Sequence, residues 1–111
     1  MRIISGNFKG KKLFVPLDKN TRPLKDMVKE SIFNLINHSK NINLEIKNSL
    51  ILDLFSGSGS FGVECLSRGA RKVIFIENYS EALKILGKNI KSLKGINNYE
   101  IIKTDCFNFF K

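Results

Sequence analysis

Apolar residues fall along this chain in blocks, and their period changes from block to block. Arg2-Ile3-Ile4-Ser5 and Lys11-Lys12-Leu13-Phe14-Val15-Pro16 are short β-prone runs on either side of Gly6-Asn7-Phe8-Lys9-Gly10, which predicts an N-terminal hairpin around a glycine-bounded turn. From Thr21 the period lengthens. Thr21 is a capping residue, Pro23 suits a first turn, and Leu24, Met27, Val28, Ile32, Leu35 and Ile36 recur at helical spacing, predicting a helix with one apolar face. His38 falls near its end, where a lone histidine is a solvated terminal residue rather than a ligand or base. Beyond the polar stretch Asn37 to Asn48, the run Ser49-Leu50-Ile51-Leu52-Asp53-Leu54-Phe55 is nearly continuous in apolar residues, as a strand buried on both faces requires, with Asp53 the exception.

Glycines follow at 57, 59 and 62, then a short helix through Val63, Cys65 and Leu66 that Arg68-Gly69 closes as a basic last turn and glycine cap. Lys72-Val73-Ile74-Phe75-Ile76-Glu77 is a second strand. Ser80 can cap the next helix, in which Ala82, Leu83, Leu86, Ile90 and Leu93 keep a 3.6 period until Gly95, and Tyr99-Glu100-Ile101-Ile102-Lys103 is a third strand leading to Asp105. Strand, glycine turn, helix, strand, helix, strand is the βαβαβ unit of a doubly wound parallel sheet, so the fold class is α/β, Rossmann-like. Ligands of such sheets sit beyond the carboxyl ends of the strands, and Asp53, Glu77 and Asp105 occupy those ends in succession. No internal repeat or low-complexity tract interrupts the pattern.

Composition narrows the partners. A chain of 111 residues, 42% hydrophobic and 26% charged, is an ordinary globular domain. Its formal charge of +9 points to a polyanion, although an excess made mostly of lysine, beside many Asn and Ile residues, also fits a biased genome. Cys65 and Cys106 are far apart and lack metal-ligand spacing, which leaves neither a zinc site nor a disulfide framework. No apolar run reaches the roughly 18 residues of a membrane span and no signal-peptide core follows Met1, so a cytoplasmic protein with no membrane partner is expected.

Gly57-Ser58-Gly59-Ser60-Phe61-Gly62 matches G-x-G-x-x-G, a motif shared by nicotinamide, flavin and methyl-donor enzymes. Glu77, 20 residues after Gly57, stands where an acid accepts hydrogen bonds from ribose hydroxyls in all of these classes. Asp53 separates them. A carboxylate in the last turn of a strand under the glycine loop repels a diphosphate but stabilises a ligand with an ammonium and a sulfonium, which describes S-adenosylmethionine. Asp105 is then placed to accept a hydrogen bond from the adenine amino group. Each acid also has a purely structural alternative: Asp53 as a cap of the loop backbone, Glu77 as a partner of a nearby lysine, and Asp105 as the N-cap of a helix starting at Cys106.

These residues resemble the bacterial small-subunit (16S) ribosomal RNA guanine-N2 methyltransferases. Arg2-Ile3-Ile4-Ser5-Gly6 with Gly10-Lys11-Lys12-Leu13 resembles the family's opening, and Thr21-Arg22-Pro23 with Val28-Lys29-Glu30-Ser31-Ile32-Phe33-Asn34 its first helix. Leu52-Asp53-Leu54-Phe55-Ser56-Gly57-Ser58-Gly59, with Gly62, Glu64 and Leu66-Ser67-Arg68-Gly69-Ala70, is similar to its cofactor loop and helix. The resemblance implies a basic hairpin over residues 1–20 and an S-adenosylmethionine-binding Rossmann-like domain over 21–111. It implies cofactor contacts from Asp53, Gly57, Gly59, Glu77 and Asp105, and RNA contacts from Arg2, Lys9, Lys11, Lys12 and Arg22.

Two features depart from the family pattern. Asn78 follows Glu77 where a basic residue and an aspartate are usual, and the Asp- or Asn-Pro-Pro-Tyr/Phe motif is missing, since the prolines are Pro16 and Pro23. That motif holds the poorly nucleophilic guanine amine in line with the methyl carbon, so no catalytic residue is assigned. A partial sheet is expected, with the face of Leu50, Ile51 and Leu52 and the edge of their strand uncovered and Phe107, Phe109 and Phe110 as unfinished core. The expectation is a truncated methyltransferase, from a fragment, split gene or decayed copy, inactive alone, whose partners are ribosomal RNA or the small ribosomal subunit and a complementary C-terminal half. Two other readings stand beside it: an amino-methyltransferase acting on adenine, and a noncatalytic basic domain that binds RNA or protein.

Overall fold

The computed structural model describes residues 1–15, 25–41 and 44–111, so Thr21, Arg22 and Pro23 lie outside the described residues. Its elements run α1 (Asp26–His38), β1 (Leu50–Asp53), α2 (Ser60–Ser67), β2 (Lys72–Glu77), α3 (Ser80–Lys91), β3 (Tyr99–Lys103) and α4 (Cys106–Phe109). The strands form one parallel sheet in the order β1-β2-β3, with Asp53 level with Phe75 and Phe75 with Ile101. β2 and β3 occupy the segments expected from the sequence. Before them, the hairpin is two extended arms joined at one antiparallel bridge, Arg2 to Lys12, with Ile3, Gly10 and Leu13 amides completing the pairing.

Side-chain alternation gives the sheet two unlike faces. Val73 and Phe75 are buried on one, packed with Ile51, Tyr99 and Ile101 against a core that α2, α3 and the hairpin supply through Val63, Leu66, Leu86, Ile90, Ile3 and Leu13. On the other face Leu50 and Leu52 remain 50% and 43% exposed. This is the uncovered face expected of a partial sheet, except that Ile51, expected there with them, alternates to the helix-covered side. α2 ends in a Schellman turn, in which the Gly69 amide reaches Leu66 and the Ala70 amide reaches Cys65, with Gly69 at φ 95°.

α1 packs differently from its apolar pattern. Met27, Val28 and Leu35 are exposed, and the residues turned inward are Lys29 and Phe33. Polar pairing explains the choice. Lys29 Nζ lies 3.3 Å from Glu64 of α2, both side chains wholly buried, and donates to the Arg2 carbonyl and to Ser60 Oγ. Glu64 also accepts from the Ile4 and Ser5 amides and from Arg68 Nε at 2.8 to 3.0 Å. The Arg68 guanidinium in turn covers the Phe33 ring at 4.2 Å. Two i, i+4 pairs, Lys29 with Phe33 and Glu64 with Arg68, thus interlock, and the charges decide which face of α1 is inside.

A second buried polar link ties the other hairpin arm down. Asn89 of α3 accepts from the Phe14 amide at 2.7 Å and donates to the carbonyls of Phe14 and Ser58. An amide is needed here, because only an acceptor and a two-proton donor on one group satisfy all three partners.

Removing Glu64 strands a buried ammonium and two backbone amides, so Glu64→Leu is expected to lower the unfolding free energy by about 3–5 kcal/mol in urea titration. Adding Lys29→Met should recover only part of this, since the Ile4 and Ser5 amides still lack an acceptor. A Cβ at Gly87 meets nothing within 4 Å in the middle of α3, so Gly87→Ala should stabilise by about 0.5–1 kcal/mol.

Candidate functional site

β1 delivers the chain into the turn 54–59 at the carboxyl edge of the sheet, and Ser56 fastens that turn to β2. Its Oγ donates to the Asp53 carbonyl and accepts from the Ile76 amide, while its own amide reaches the Ile76 carbonyl. Gly59, at φ 87°, caps α2, and a Cβ there would lie 2.3 Å from Leu86; one at Gly62 would lie 2.3 Å from the Phe75 ring. These glycines let α2 and α3 close onto the sheet. The turn is shaped by packing beneath it as much as by anything above it.

Glu77 grips the same turn from the end of β2. One carboxylate oxygen accepts from the Gly57 amide at 2.8 Å, and the other accepts from the Asn78 and Tyr79 amides at the start of α3. The lysine partner considered for it is not what holds it. Asp105 is the N-cap of α4 and accepts from the Asn108 amide at 2.8 Å and its side-chain amide at 2.9 Å. Glu77 and Asp105 line one crevice of about 80 Å³ at the strand ends, walled by Phe55, Ile76, Cys106 and Phe107. The lining is mostly apolar, with the two acids as its charged members. A larger groove of about 490 Å³, between Ser5, Asn37, Lys47 and Arg68, lies beside the C-terminal end of α2 rather than at the strand ends.

Asp53 sits apart from that crevice, on the helix-covered face of β1 beneath the turn. Its Oδ2 is buried without a hydrogen-bond partner, a costly state for a charged group. Burial pushes its pKa up to about 6; the Gly62 amide opposes the rise and the Glu77 charge adds to it. Behind it the Cys65 thiol is pushed up to about 12, chiefly by burial and then by Asp53 and Glu64, so it is protonated and inert.

Of the expected RNA contacts, Arg2, Lys9 and Lys12 are exposed on the hairpin and Lys11 is partly so. Arg2 faces Asp26 loosely, at 4.0 Å. Arg22 lies outside the described residues. The pattern of the chain did not single out Lys29 or Asn89, which hold the hairpin to the loop. A lysine and an asparagine at inward positions of amphipathic helices were the available signals. Among the described residues no three His, Cys, Asp or Glu side chains cluster as a metal site, and no helix is long and apolar enough to cross a membrane.

A buried carboxylate beneath the glycine turn is hostile to a diphosphate, which sets this sheet apart from the dinucleotide-binding class and puts it with the Rossmann-like methyltransferases. The solved structure titled "Putative methyltransferase yhhF from Escherichia coli" superposes with a TM-score of 0.79 at 33% identity, covering 98% of this chain and 55% of that one. The chain belongs to the family described as "Conserved hypothetical protein 95", whose model matches residues 1–111. Ribosomal RNA small subunit methyltransferase D of Haemophilus influenzae is 39% identical over 112 aligned positions, all of this chain and 55% of that protein. A Bacillus subtilis relative, "Putative rRNA methyltransferase YlbH", is 38% identical over 106, covering 96% and 54%. The chain spans about half the length of these relatives.

Because the folded-state pKa of Asp53 lies above its ordinary value of 3.8, the native protein holds this proton more tightly than the unfolded chain. The contribution to stability is full below that ordinary value and is lost as pH rises through about 6. Asp53→Asn should therefore raise the Tm at pH 8 and flatten the pH dependence between about 4 and 6, as differential scanning fluorimetry across that range would record.

Proposed function

We propose that residues 1–111 form the S-adenosylmethionine-binding half of a methyltransferase that modifies a guanine N2 in small-subunit ribosomal RNA. The partnerless, buried Asp53 oxygen carries this reading, because a ligand bearing cationic groups and no phosphate relieves the cost of that charge. S-adenosylmethionine supplies an activated methyl group on a sulfonium. Asp53 would hold the amino-acid end, directly or through water, with Gly57 and Gly59 giving the backbone close approach. Glu77 would accept from the ribose hydroxyls, using lone pairs left over from the Gly57, Asn78 and Tyr79 amides. Asp105 would accept from the adenine amino group while capping α4.

The RNA assignment rests on the names of the full-length relatives and on the basic hairpin, where Arg2, Lys9, Lys11 and Lys12, with Arg22 beyond it, would contact phosphates. These 111 residues contain no Pro-Pro pair to accept from and stack on the guanine, so alone they bind the donor without turning it over. A complementary C-terminal half would cover Leu50, Leu52 and Phe55 and pair with β1. The compartment that fits is the cytoplasm.

Calorimetric titration with S-adenosylmethionine at pH 8 should give saturable binding, with none for NAD, and Asp53→Asn should weaken it at least tenfold. Below pH about 6 the wild-type affinity should fall by up to tenfold per pH unit as Asp53 takes a proton. Binding that ignores both the substitution and the pH would remove Asp53 from the site; a folded chain that binds RNA but no methyl donor would instead be a noncatalytic basic domain.

A further inference from the structure

The outward face of α3 is basic from Lys84 to its end at Lys91. Ala82, Leu86, Asn89 and Ile90 turn into the core, and Lys84, Lys88 and Lys91 stand together on the opposite side, all exposed. At 1.5 Å per residue they span about 10 Å of helix. Phe14, the hairpin residue whose main chain Asn89 holds, keeps 52% of its surface exposed, and Lys88 Nζ lies 5.8 Å from its ring centre. Two residues before Phe14, on the same side of the extended arm, is Lys12, the bridge partner of Arg2. Hairpin and helix therefore present one continuous surface of cations around an exposed aromatic ring.

Two further observations separate this strip from an ordinary solvated helix face. A face built for solubility mixes signs, yet the acid beside these lysines is Glu81, which meets Lys84 at 3.4 Å, while Lys88 and Lys91 have no ion-pair partner among the described residues. Gly87 lies between Lys84 and Lys91 on the helix surface, and no packing among the described residues requires a glycine there. It weakens the helix and leaves its backbone open between two ammonium groups, as close approach of a phosphate chain requires. α3 begins three residues after Glu77, so the Lys84 end of the strip lies toward the strand ends and the Lys91 end points away from them.

We propose that Lys84, Lys88 and Lys91 with the Phe14 ring form a second RNA-contacting surface that extends the hairpin's and leads the RNA backbone toward the strand-end crevice. The proposal rests on the RNA-substrate reading above. The lysines would neutralise phosphates and Phe14 would stack on an unpaired base.

The test is binding of the full chain to a small-subunit ribosomal RNA fragment, followed by fluorescence anisotropy over a series of KCl concentrations. Lys84→Gln/Lys88→Gln/Lys91→Gln is compared with a control of equal charge loss, Lys40→Gln/Lys47→Gln/Lys111→Gln. The strip variant should lower the slope of log affinity against log salt by about 2 to 3 and the affinity more than tenfold, with little change in the control. Phe14→Ala should cost roughly fivefold or more. Unchanged thermal melts and methyl-donor titration in the strip variant exclude misfolding. Equal losses in both triple variants, or none in the strip variant while wild type binds, overturn the proposal. Equal binding of polyglutamate, lost in parallel, would make the strip a general polyanion surface and also overturn it. Failure of the wild-type chain to bind RNA at all would bring down the RNA-substrate reading and this proposal together.

Discussion

A carboxylate sealed from water has to be met on every side, and Glu64 is met by an ammonium, a guanidinium and two backbone amides from three separate parts of the chain. That single requirement fixes how α1 and the hairpin sit on α2. Without it α1 would be free to turn Met27, Val28 and Leu35 inward instead of Lys29. The interaction is worth little as a net source of stability, because two desolvated charges gain roughly what they lose. Its effect is on arrangement: any other docking of α1 costs the buried Glu64 its ammonium partner.

The glycine turn is held the same way from several sides. Lys29 reaches Ser60, Asn89 reaches Ser58, Glu77 reaches Gly57, and Ser56 spans the ends of β1 and β2. A loop whose backbone groups already have partners does not need a ligand to order it, so the entropy of forming the site is met during folding. Asp53 stands out against this background: among the described residues it is the acid with a buried oxygen left unpartnered, which is why the donor-binding proposal is placed on it.

The sheet was legible because strand and helix differ in period and the glycines mark the turns: β2 and β3 match their sequence segments to the residue. The strand-end acids were legible as positions, since topology brings strand ends together whatever the intervening residues. Their hydrogen bonds were not, and Asp105 is found doing the capping that any aspartate before a short helix can do. Hydrophobic periodicity misjudged α1, because it gives lysine no weight as a core residue and the partner that brings Lys29 inside lies 35 residues further on. The exposure of Leu50 and Leu52 was legible once the sheet was read as partial, whereas Ile51, expected uncovered with them, alternates to the helix-covered face.

The polar ties of the hairpin reach far along the chain. Ile4 and Ser5 wait for Glu64, about 60 residues later, and Phe14 waits for Asn89, 75 residues later. The hairpin therefore cannot settle until α2 and α3 exist to receive it, and Ile3 and Leu13, buried in the finished protein, stay uncovered until then.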